Sequence, residues 1–385
     1  MPKKLYVGVD HVARKGKKMY VGADNLARKV KKGYIGVGGV ARPFFAGGEL
    51  VYYGKASDLS VARRYLAATN VGNYALFGGG QTASDKSNVV DAYNKSLTRS
   101  TATALSAVRA YLAATTVGSY ALFGGGNSSS GTSISSNGHS TVVDAYNASL
   151  TRSTPTVLST KRYLLAATSV GNYALFGGGH LTSASDVVDA YNASLTRSTP
   201  TALSAKRRAL AATKVGNYAL FGGGYNSTVV DAYDTSLTRS TPTVLSYKRQ
   251  QLAATNVGNY ALFGGGNTSI STTAFGPSNI VDAYNTSLVL STPTTLSVAR
   301  RELSATTVGT FALFCGGDVS TSSSSLTHSN VTDAYDETLT RSVPTALNTA
   351  RSELVATTIG DYALIGGGYL SSKGVSAVVD AYTVA

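Results

Sequence analysis

The chain has 385 residues, of which 43% are apolar and only 14% are charged, with many Gly and Tyr residues and no Trp. This composition suits a large core of β-structure, and no run of about 18 apolar residues is present, which argues against a transmembrane helix. The net charge of +14 lies mainly at the N-terminus, because residues 1–42 carry 11 Lys/Arg against 2 Asp.

Residues 1–46 form a basic arm that contains a repeat with a period of 14 residues. Each copy has a two-residue centre between β-prone segments, and such centres favour tight hairpins. The centres are Asp10-His11, Asp24-Asn25 and Gly38-Gly39. The pattern predicts a small basic β-meander of hairpins joined by lysine-rich links.

A meander of this size cannot bury enough apolar surface alone, so we expect the arm to dock on another protein or on copies of itself. The candidate docking residues are the repeated tyrosines and arginines Tyr6, Tyr20, Tyr34, Arg14, Arg28 and Arg42. Tyrosines interleaved with basic clusters also suit nucleic acid. That alternative is less favoured, because the hairpin spacing accounts for the same tyrosines. An extended arm with solvated lysines is the third interpretation.

Beyond the arm, a motif of the type Asn-Tyr-Ala-Leu-Phe-Gly-Gly-Gly recurs seven times. Its copies end at Gly80, Gly126, Gly179, Gly224, Gly266, Gly317 and Gly368. Each copy is apolar and aromatic and then stops at glycines, which predicts a strand that runs into a sharp bend or a close backbone approach.

The seven motifs belong to seven longer repeats, each with four predicted short strands. An arginine always lies 17 residues before the last glycine, and the tyrosine of a later Val-Val-Asp-Ala-Tyr strand always lies 16 residues before the next arginine. The length varies only in the segment between the glycine triplet and the Val-Val-Asp-Ala-Tyr strand. This segment runs from 4 residues at 225–228 to 15 at 127–141. Four strands in a mean period of 48 residues predict the blades of a propeller.

The apolar strand, the double glycine, the tyrosine after the variable segment and the arginine before the next blade together resemble the kelch repeat. The resemblance covers roughly residues 47–385 and implies an all-β, seven-bladed propeller that follows a hairpin arm at 1–46. Kelch blades usually carry Trp in the fourth strand, where this chain has Thr or Arg. Packing is therefore expected to rest on Tyr, Phe and Leu.

The ends of the propeller fit ring closure. The seventh repeat stops at Ala385 without a fourth strand, whereas residues 50–56 lie in register with the fourth strands of the other repeats. We predict that this N-terminal strand completes the last blade, which hides edges that an open array would expose.

Two sets of charged residues repeat in every blade. The arginines are Arg63, Arg109, Arg162, Arg207, Arg249, Arg300 and Arg351. The aspartates are Asp91, Asp144, Asp189, Asp231, Asp282, Asp333 and Asp380. Structural pairing within or between blades is the favoured interpretation, because buried charges must be paired. The alternative is an arginine ring at one mouth of the channel that binds an anion or an acidic polymer.

The variable segments are expected to crowd one face of the disc, because the loop after strand two and the linker after strand four share a face. They are rich in Ser, Thr, Asn and Gly with scattered aromatics, a composition that suits adaptable recognition of a glycan or a protein. The candidate ligand-binding residues are Asn127, His139, His180, Tyr225, Asn267, Phe275, His328 and Tyr369. The plainer alternative is that these loops are merely tolerated insertions.

No enzyme, cofactor or metal is predicted. Of the four histidines, three lie in different variable loops, and an isolated loop histidine is far more often solvated than a ligand. The single Cys315 replaces the first glycine of one triplet, so we expect a small buried residue and not a reactive thiol.

The segment Tyr34–Pro43, placed ahead of an appended β-domain, resembles attachment segments in structural proteins of phages that infect Gram-positive bacteria. This implies a phage head or tail appendage on the virion surface, anchored by its arm and presenting the propeller to a host-surface glycan or protein. No secretory signal is visible at the start of the chain, which fits synthesis in the host cytoplasm. The alternative is an intracellular kelch-type scaffold for protein interactions.

Overall fold

The computed structural model describes residues 6–9, 12–15, 20–23, 26–29, 32–37, 40–46, 48–268, 276–322, 324, 326–370 and 374–384. They belong to two compact units, Met1–Val51 with Val384–Ala385, and Tyr52–Thr383.

The first unit contains three antiparallel hairpins, as predicted. They are β1 (Tyr6–Val9) with β2 (Val12–Lys15), β3 (Tyr20–Ala23) with β4 (Leu26–Lys29), and β5 (Lys32–Val37) with β6 (Val40–Ala46). Among the described residues each hairpin is a two-stranded sheet of its own.

The larger part of the chain is a seven-bladed propeller of four-stranded antiparallel blades. The first strands neighbour one another around the central channel. In blade order they are Ala67–Val71 (β8), Ala113–Val117 (β12), Ala166–Val170 (β16), Ala211–Val215 (β20), Ala253–Val257 (β24), Ser304–Val308 (β28) and Val355–Ile359 (β32). The second strands are Tyr74–Gly78 (β9), Tyr120–Gly124 (β13), Tyr173–Gly177 (β17), Tyr218–Gly222 (β21), Tyr260–Gly264 (β25), Phe311–Cys315 (β29) and Tyr362–Gly366 (β33).

The outer half of each blade is made by the Val-Val-Asp-Ala-Tyr strand and a short outermost strand. The third strands are Val90–Tyr93 (β10), Val143–Tyr146 (β14), Val188–Asn192 (β18), Val230–Tyr233 (β22), Val281–Asn285 (β26), Thr332–Asp336 (β30) and Val379–Val384 (β36). The fourth strands are Arg99–Thr101 (β11), Arg152–Ser153 (β15), Arg197–Ser198 (β19), Arg239–Ser240 (β23), Leu290–Ser291 (β27), Arg341–Ser342 (β31) and Leu50–Lys55 (β7). The variable loops add a 3-10 turn (Ser136–Gly138) and a small hairpin of β34 (Tyr369–Leu370) and β35 (Gly374–Val375).

Blade seven is completed from the other end of the chain, which confirms the closure prediction. Its strand order is β32-β33-β36-β7. Tyr52 in β7 donates a hydrogen bond from Oη to Asp380 Oδ1 at 2.6 Å, and its ring packs edge-on against Tyr382. The first and last blades are therefore neighbours in a closed ring.

Packing between blades depends on the first glycine of each triplet. A Cβ on Gly124 would lie 2.6 Å from the ring of Phe176 in the next blade, and the other first glycines meet the equivalent phenylalanine. Blade six has Cys315 at this position, and blade seven has Ile365 in place of the phenylalanine. The smaller isoleucine leaves room for the thiol, and Cys315 is fully buried, as predicted.

The second and third glycines join neighbouring blades through the backbone. Gly79 has φ +68°, and a Cβ there would lie 2.6 Å from the carbonyl oxygen of Arg109 in the next blade. Gly80 donates its N–H to that same carbonyl at 2.8 Å. The equivalent bond recurs between every pair of neighbouring blades at 2.8–2.9 Å. The predicted close approach is thus a set of seven blade-to-blade hydrogen bonds.

Candidate functional site at one mouth of the channel

The seven repeated arginines lie inside their own blades. Each is at most 1% exposed. In blade one, Nη1 of Arg63 donates to the carbonyls of Gly79 at 2.6 Å and Val89 at 2.7 Å, and Nη2 pairs with the carboxylate of Asp91. The other pairs are Arg109–Asp144, Arg162–Asp189, Arg207–Asp231, Arg249–Asp282, Arg300–Asp333 and Arg351–Asp380.

These pairs clamp each blade together. The second oxygen of Asp91 accepts the backbone N–H of Ser60 in the linker at 3.1 Å and a guanidinium N–H of Arg99 in β11 at 3.2 Å. Burial lowers the pKa of Arg63, and the charge of Asp91 opposes that shift. The Nη atoms of these arginines already form hydrogen bonds inside the blade, which makes their role structural. This arrangement does not fit the alternative of an anion-binding arginine ring at one mouth of the channel.

Two of the predicted loop residues are buried and shape their loops. Asn127 is fully buried and bonds the backbone of Ser129 and Ser135 at 3.1 and 3.0 Å. Asn267 is 4% exposed and accepts the N–H of Gly276 at 2.8 Å. Their amides therefore satisfy loop backbone groups and do not face solvent. Phe275 lies outside the described residues.

The other predicted loop residues gather beside aromatic rings. His139 lies 4.6 Å from the ring of Tyr163 in the next blade, and His180 lies 5.4 Å from the same ring. His328 is packed edge-on against Tyr369 of the next blade at 5.7 Å. Tyr225 is 39% exposed and stacks under the guanidinium of Arg208. The structure thus pairs His139 and His328 with a tyrosine of the next blade. His180 and Tyr225 instead have their partners in their own blade.

The structure adds a ring that sequence reasoning missed, formed by the two residues after each repeated arginine. These pairs differ from blade to blade: Arg64-Tyr65, Ala110-Tyr111, Tyr163-Leu164, Arg208-Ala209, Gln250-Gln251, Arg301-Glu302 and Ser352-Glu353. The second member always has a positive φ of 52–58°, which is uncommon for residues other than glycine. We call these seven second members the mouth ring.

A closed circle of backbone hydrogen bonds holds the mouth ring. Each member donates its N–H to the carbonyl of the member in the preceding blade, at 2.9–3.3 Å, and the circle closes from Tyr65 to Glu353. This circle explains the shared left-handed conformation. The backbone of the ring is fixed while its side chains differ.

The mouth ring is continuous with the variable loops. In every blade the residue before the ring member bonds through its backbone to the first residue after the glycine triplet, as in Arg64 with Gln81 and Ser352 with Tyr369. Loop and linker therefore share one face, as predicted.

The mouth ring opens into a cavity of about 220 Å³ with an apolar lining of leucines. One side is aromatic, with the rings of Tyr65 and Tyr111 stacked at 4.0 Å. The other side carries Gln251, Glu302 and Glu353. The blades therefore build a mouth with two chemically different halves.

The acidic half is tied together by hydrogen bonds. Tyr65 Oη donates to Glu353 Oε1 at 2.5 Å, and Arg64 Nη1 donates to Glu353 Oε2 at 3.0 Å. Gln251 Nε2 donates to Glu302 Oε1 at 2.5 Å. Burial raises the pKa of Glu302 to about 8, and the neighbouring charge of Glu353 adds to the shift. Glu302 therefore holds its proton near neutral pH.

Toward the other end, the channel is lined by small and uniform residues. Alanine, threonine, serine and asparagine surround a space of about 300 Å³, with Lys214 as its single charged side chain among the described lining residues. The contrast with the mouth ring makes the loop end of the channel the candidate binding site.

The arm residues occupy matching places in the three hairpins. Tyr6, Tyr20 and Tyr34 are partnered in register by Lys15, Lys29 and Pro43. Arg14, Arg28 and Arg42 are partnered by Val7, Val21 and Ile35. Their docking role stays a prediction.

Within the described part of the chain, no three His, Cys, Asp or Glu residues are grouped in a way that could hold a metal ion. None of the helices described there is long and apolar enough to cross a membrane.

No protein-family model and no curated protein sequence matches the chain. Many solved structures match its fold. One of them, titled "Structure of YjhT", superposes with a TM-score of 0.55 and 12% sequence identity, over 86% of this chain and 99% of that one. At this identity the similarity shows the fold alone, a β-propeller.

Proposed function

We propose that this protein is a non-enzymatic binding protein that holds its ligand at the channel mouth beside the variable loops. The observation that carries this proposal is the distribution of sequence differences among the blades. The arginine–aspartate clamps and glycine bonds are the same in all blades, whereas the mouth ring and the loops differ and lie together. Function in propellers and other rigid scaffolds usually resides in such variable loops.

The carboxyl groups of Glu302 and Glu353 are the features that most resemble an enzyme site, since a carboxyl that keeps its proton near neutral pH can act as a general acid. Glu353, however, has both oxygens engaged by Tyr65 and Arg64. An engaged carboxyl favours shaping and binding over proton transfer to a substrate.

We place the protein on a phage virion, held by its arm and presenting the propeller to a glycan or protein of the host surface. What supports this is the resemblance of Tyr34–Pro43 to phage attachment segments and the isolated hairpins of the arm. Two-stranded hairpins are marginal alone and need a partner surface. The kelch-type assignment of the blades belongs to the same proposal and rests on their spacing.

The mouth is tested by binding of the purified full chain to cell walls from a panel of Gram-positive bacteria. The variant Tyr65→Ala with Tyr111→Ala removes the aromatic half of the mouth ring. We expect it to lose binding to any wall that the wild type retains, whereas Ser169→Ala at the other end of the channel keeps it. Equal binding by both variants would refute the proposal that the ligand binds at the mouth ring.

The arm is tested by deletion of residues 1–42 in the phage that encodes the chain. We expect the propeller to fold and to be absent from purified virions. Retention of the truncated protein on virions would exclude the arm as the anchor. Virions that lack even the full-length protein would favour the intracellular scaffold.

A further inference from the structure

A small pocket opens beside the mouth ring where blades six, seven and one meet. It has a volume of about 220 Å³, and its lining includes Arg64, Tyr65, Glu302, His328, Ser352 and Tyr369. This is below the range of drug-sized ligand pockets, so its occupant would be small.

Three of these side chains present polar atoms that have no hydrogen-bond partner among the described residues. Ser352 is 1% exposed and its Oγ is unpaired, and His328 is 8% exposed with both ring nitrogens unpaired. Nε of Arg64 is also buried and unpaired. Buried polar groups are normally paired, because leaving one unpaired costs about 1–3 kcal/mol. Together the three residues offer both donors and acceptors to a group inside the pocket.

The charges around the pocket are balanced. Arg64 pairs with Glu353 at 3.0 Å, and Arg301 pairs with Asp318 at 2.5 Å. Burial raises the pKa of Glu302, so this carboxyl is largely neutral at neutral pH. An anionic ligand would have to displace a carboxylate from its arginine, and a cationic ligand would meet the same arginines. The pocket therefore favours a neutral ligand.

The pocket also has an aromatic wall. The guanidinium of Arg64 lies 4.6 Å from the ring centre of Tyr369 and 5.1 Å from that of Tyr65. The ring of His328 lies beside Tyr369 at 5.7 Å. The guanidinium covers part of both tyrosine rings. Aromatic surface next to mixed donors and acceptors matches a molecule with an apolar face and a rim of hydroxyl groups.

We propose that this pocket binds one neutral monosaccharide unit, such as a hexopyranose or an N-acetylhexosamine at the end of a glycan. The inference rests on the proposed binding function and narrows it to a ligand class and to three residues. His328 and Ser352 bond the hydroxyl groups, and Arg64 Nε donates to a ring or hydroxyl oxygen. The part of the Tyr369 ring that Arg64 leaves uncovered contacts the apolar face of the sugar.

The test is isothermal titration of the full chain with D-galactose, N-acetyl-D-glucosamine and D-glucuronate as probes. We expect at least one neutral sugar to bind and D-glucuronate to bind more weakly. Ser352→Ala, which installs the alanine that blade two carries in Ala110, and His328→Ala should each weaken binding about tenfold or more. Ser169→Ala, the same change at the far end of the channel, should leave the affinity unchanged.

Lack of binding by both neutral sugars would overturn the pocket proposal, as would unchanged affinity in Ser352→Ala and His328→Ala or preferred binding of D-glucuronate. Such a failure is distinguishable from failure of the broader function. If cell-wall binding depends on Tyr65 and Tyr111 but no sugar binds this pocket, the mouth remains the binding surface. Only the assignment of the ligand as a neutral sugar in this pocket would then be wrong.

Discussion

The arginine clamps and the mouth ring lie next to each other in the sequence but behave in opposite ways. Arg63 is the same in all blades, fully buried and satisfied within its own blade. Tyr65, a mouth-ring member, differs in most other blades, faces the channel mouth and bonds to a neighbouring blade. The contrast indicates that the repeated positions secure the blade, and that the positions that differ face what the protein binds.

Adjacent arginines in blade four give the largest expected effect. Arg207→Ala leaves the buried carboxylate of Asp231 with only the longer ion pair to Arg239 at 3.3 Å, which should destabilise the protein by about 3 kcal/mol. Arg208→Ala removes only a contact with the half-exposed Tyr225 and should change stability by less than about 0.5 kcal/mol. Denaturant unfolding of both variants measures the difference. Similar losses in the two variants would contradict the division of roles.

The exception in blade six allows a reciprocal test of blade packing. Ile365→Phe restores the residue that other blades carry and should clash with Cys315, at a cost of about 1–3 kcal/mol. Adding Cys315→Gly should recover most of that loss, because the other blades combine glycine with phenylalanine. Unfolding of the two single variants and the double variant gives the coupling energy. Additive effects would show that these positions do not contact.

The acidic half of the mouth should make stability depend on pH. The pKa of Glu302 is raised from 4.5 to about 8 in the folded protein, so the folded state binds a proton that the unfolded state has released between these values. Stability should therefore fall as pH rises from 4.5 to 8. Glu302→Gln should remove this part of the slope. An identical slope in wild type and variant would show that Glu302 ionises normally.

The smallest expected effect concerns the backbone of the mouth ring. Ala209 has a φ of 52°, a region that glycine adopts without strain, so Ala209→Gly should change stability by less than about 0.5 kcal/mol. Ala219→Gly in the buried β21 lacks this compensation and should cost about 1 kcal/mol. A larger loss for Ala209→Gly in thermal unfolding would mean that the ring is not strained.

The sequence was sufficient for the blades and for closure, since the spacing between arginine, glycine and tyrosine is constant and residues 50–56 match the missing strand. It did not reveal the mouth ring, because each hydrogen bond of the ring joins residues in different blades. In addition, no single residue type is common to all seven members. The signal was present as the two differing positions inside an otherwise constant segment. Asn127 shows the opposite case, a predicted ligand-binding residue that the structure does not expose. Its side chain hydrogen-bonds to the backbone of its own loop.

The most direct test of the account is the crystal structure of the propeller soaked with D-galactose and N-acetyl-D-glucosamine. We predict sugar density at the channel mouth, in contact with His328, Ser352 or the mouth-ring tyrosines. Sugar density only at the far end of the channel, among the uniform alanines and threonines, would contradict the claim that recognition resides where the blades differ.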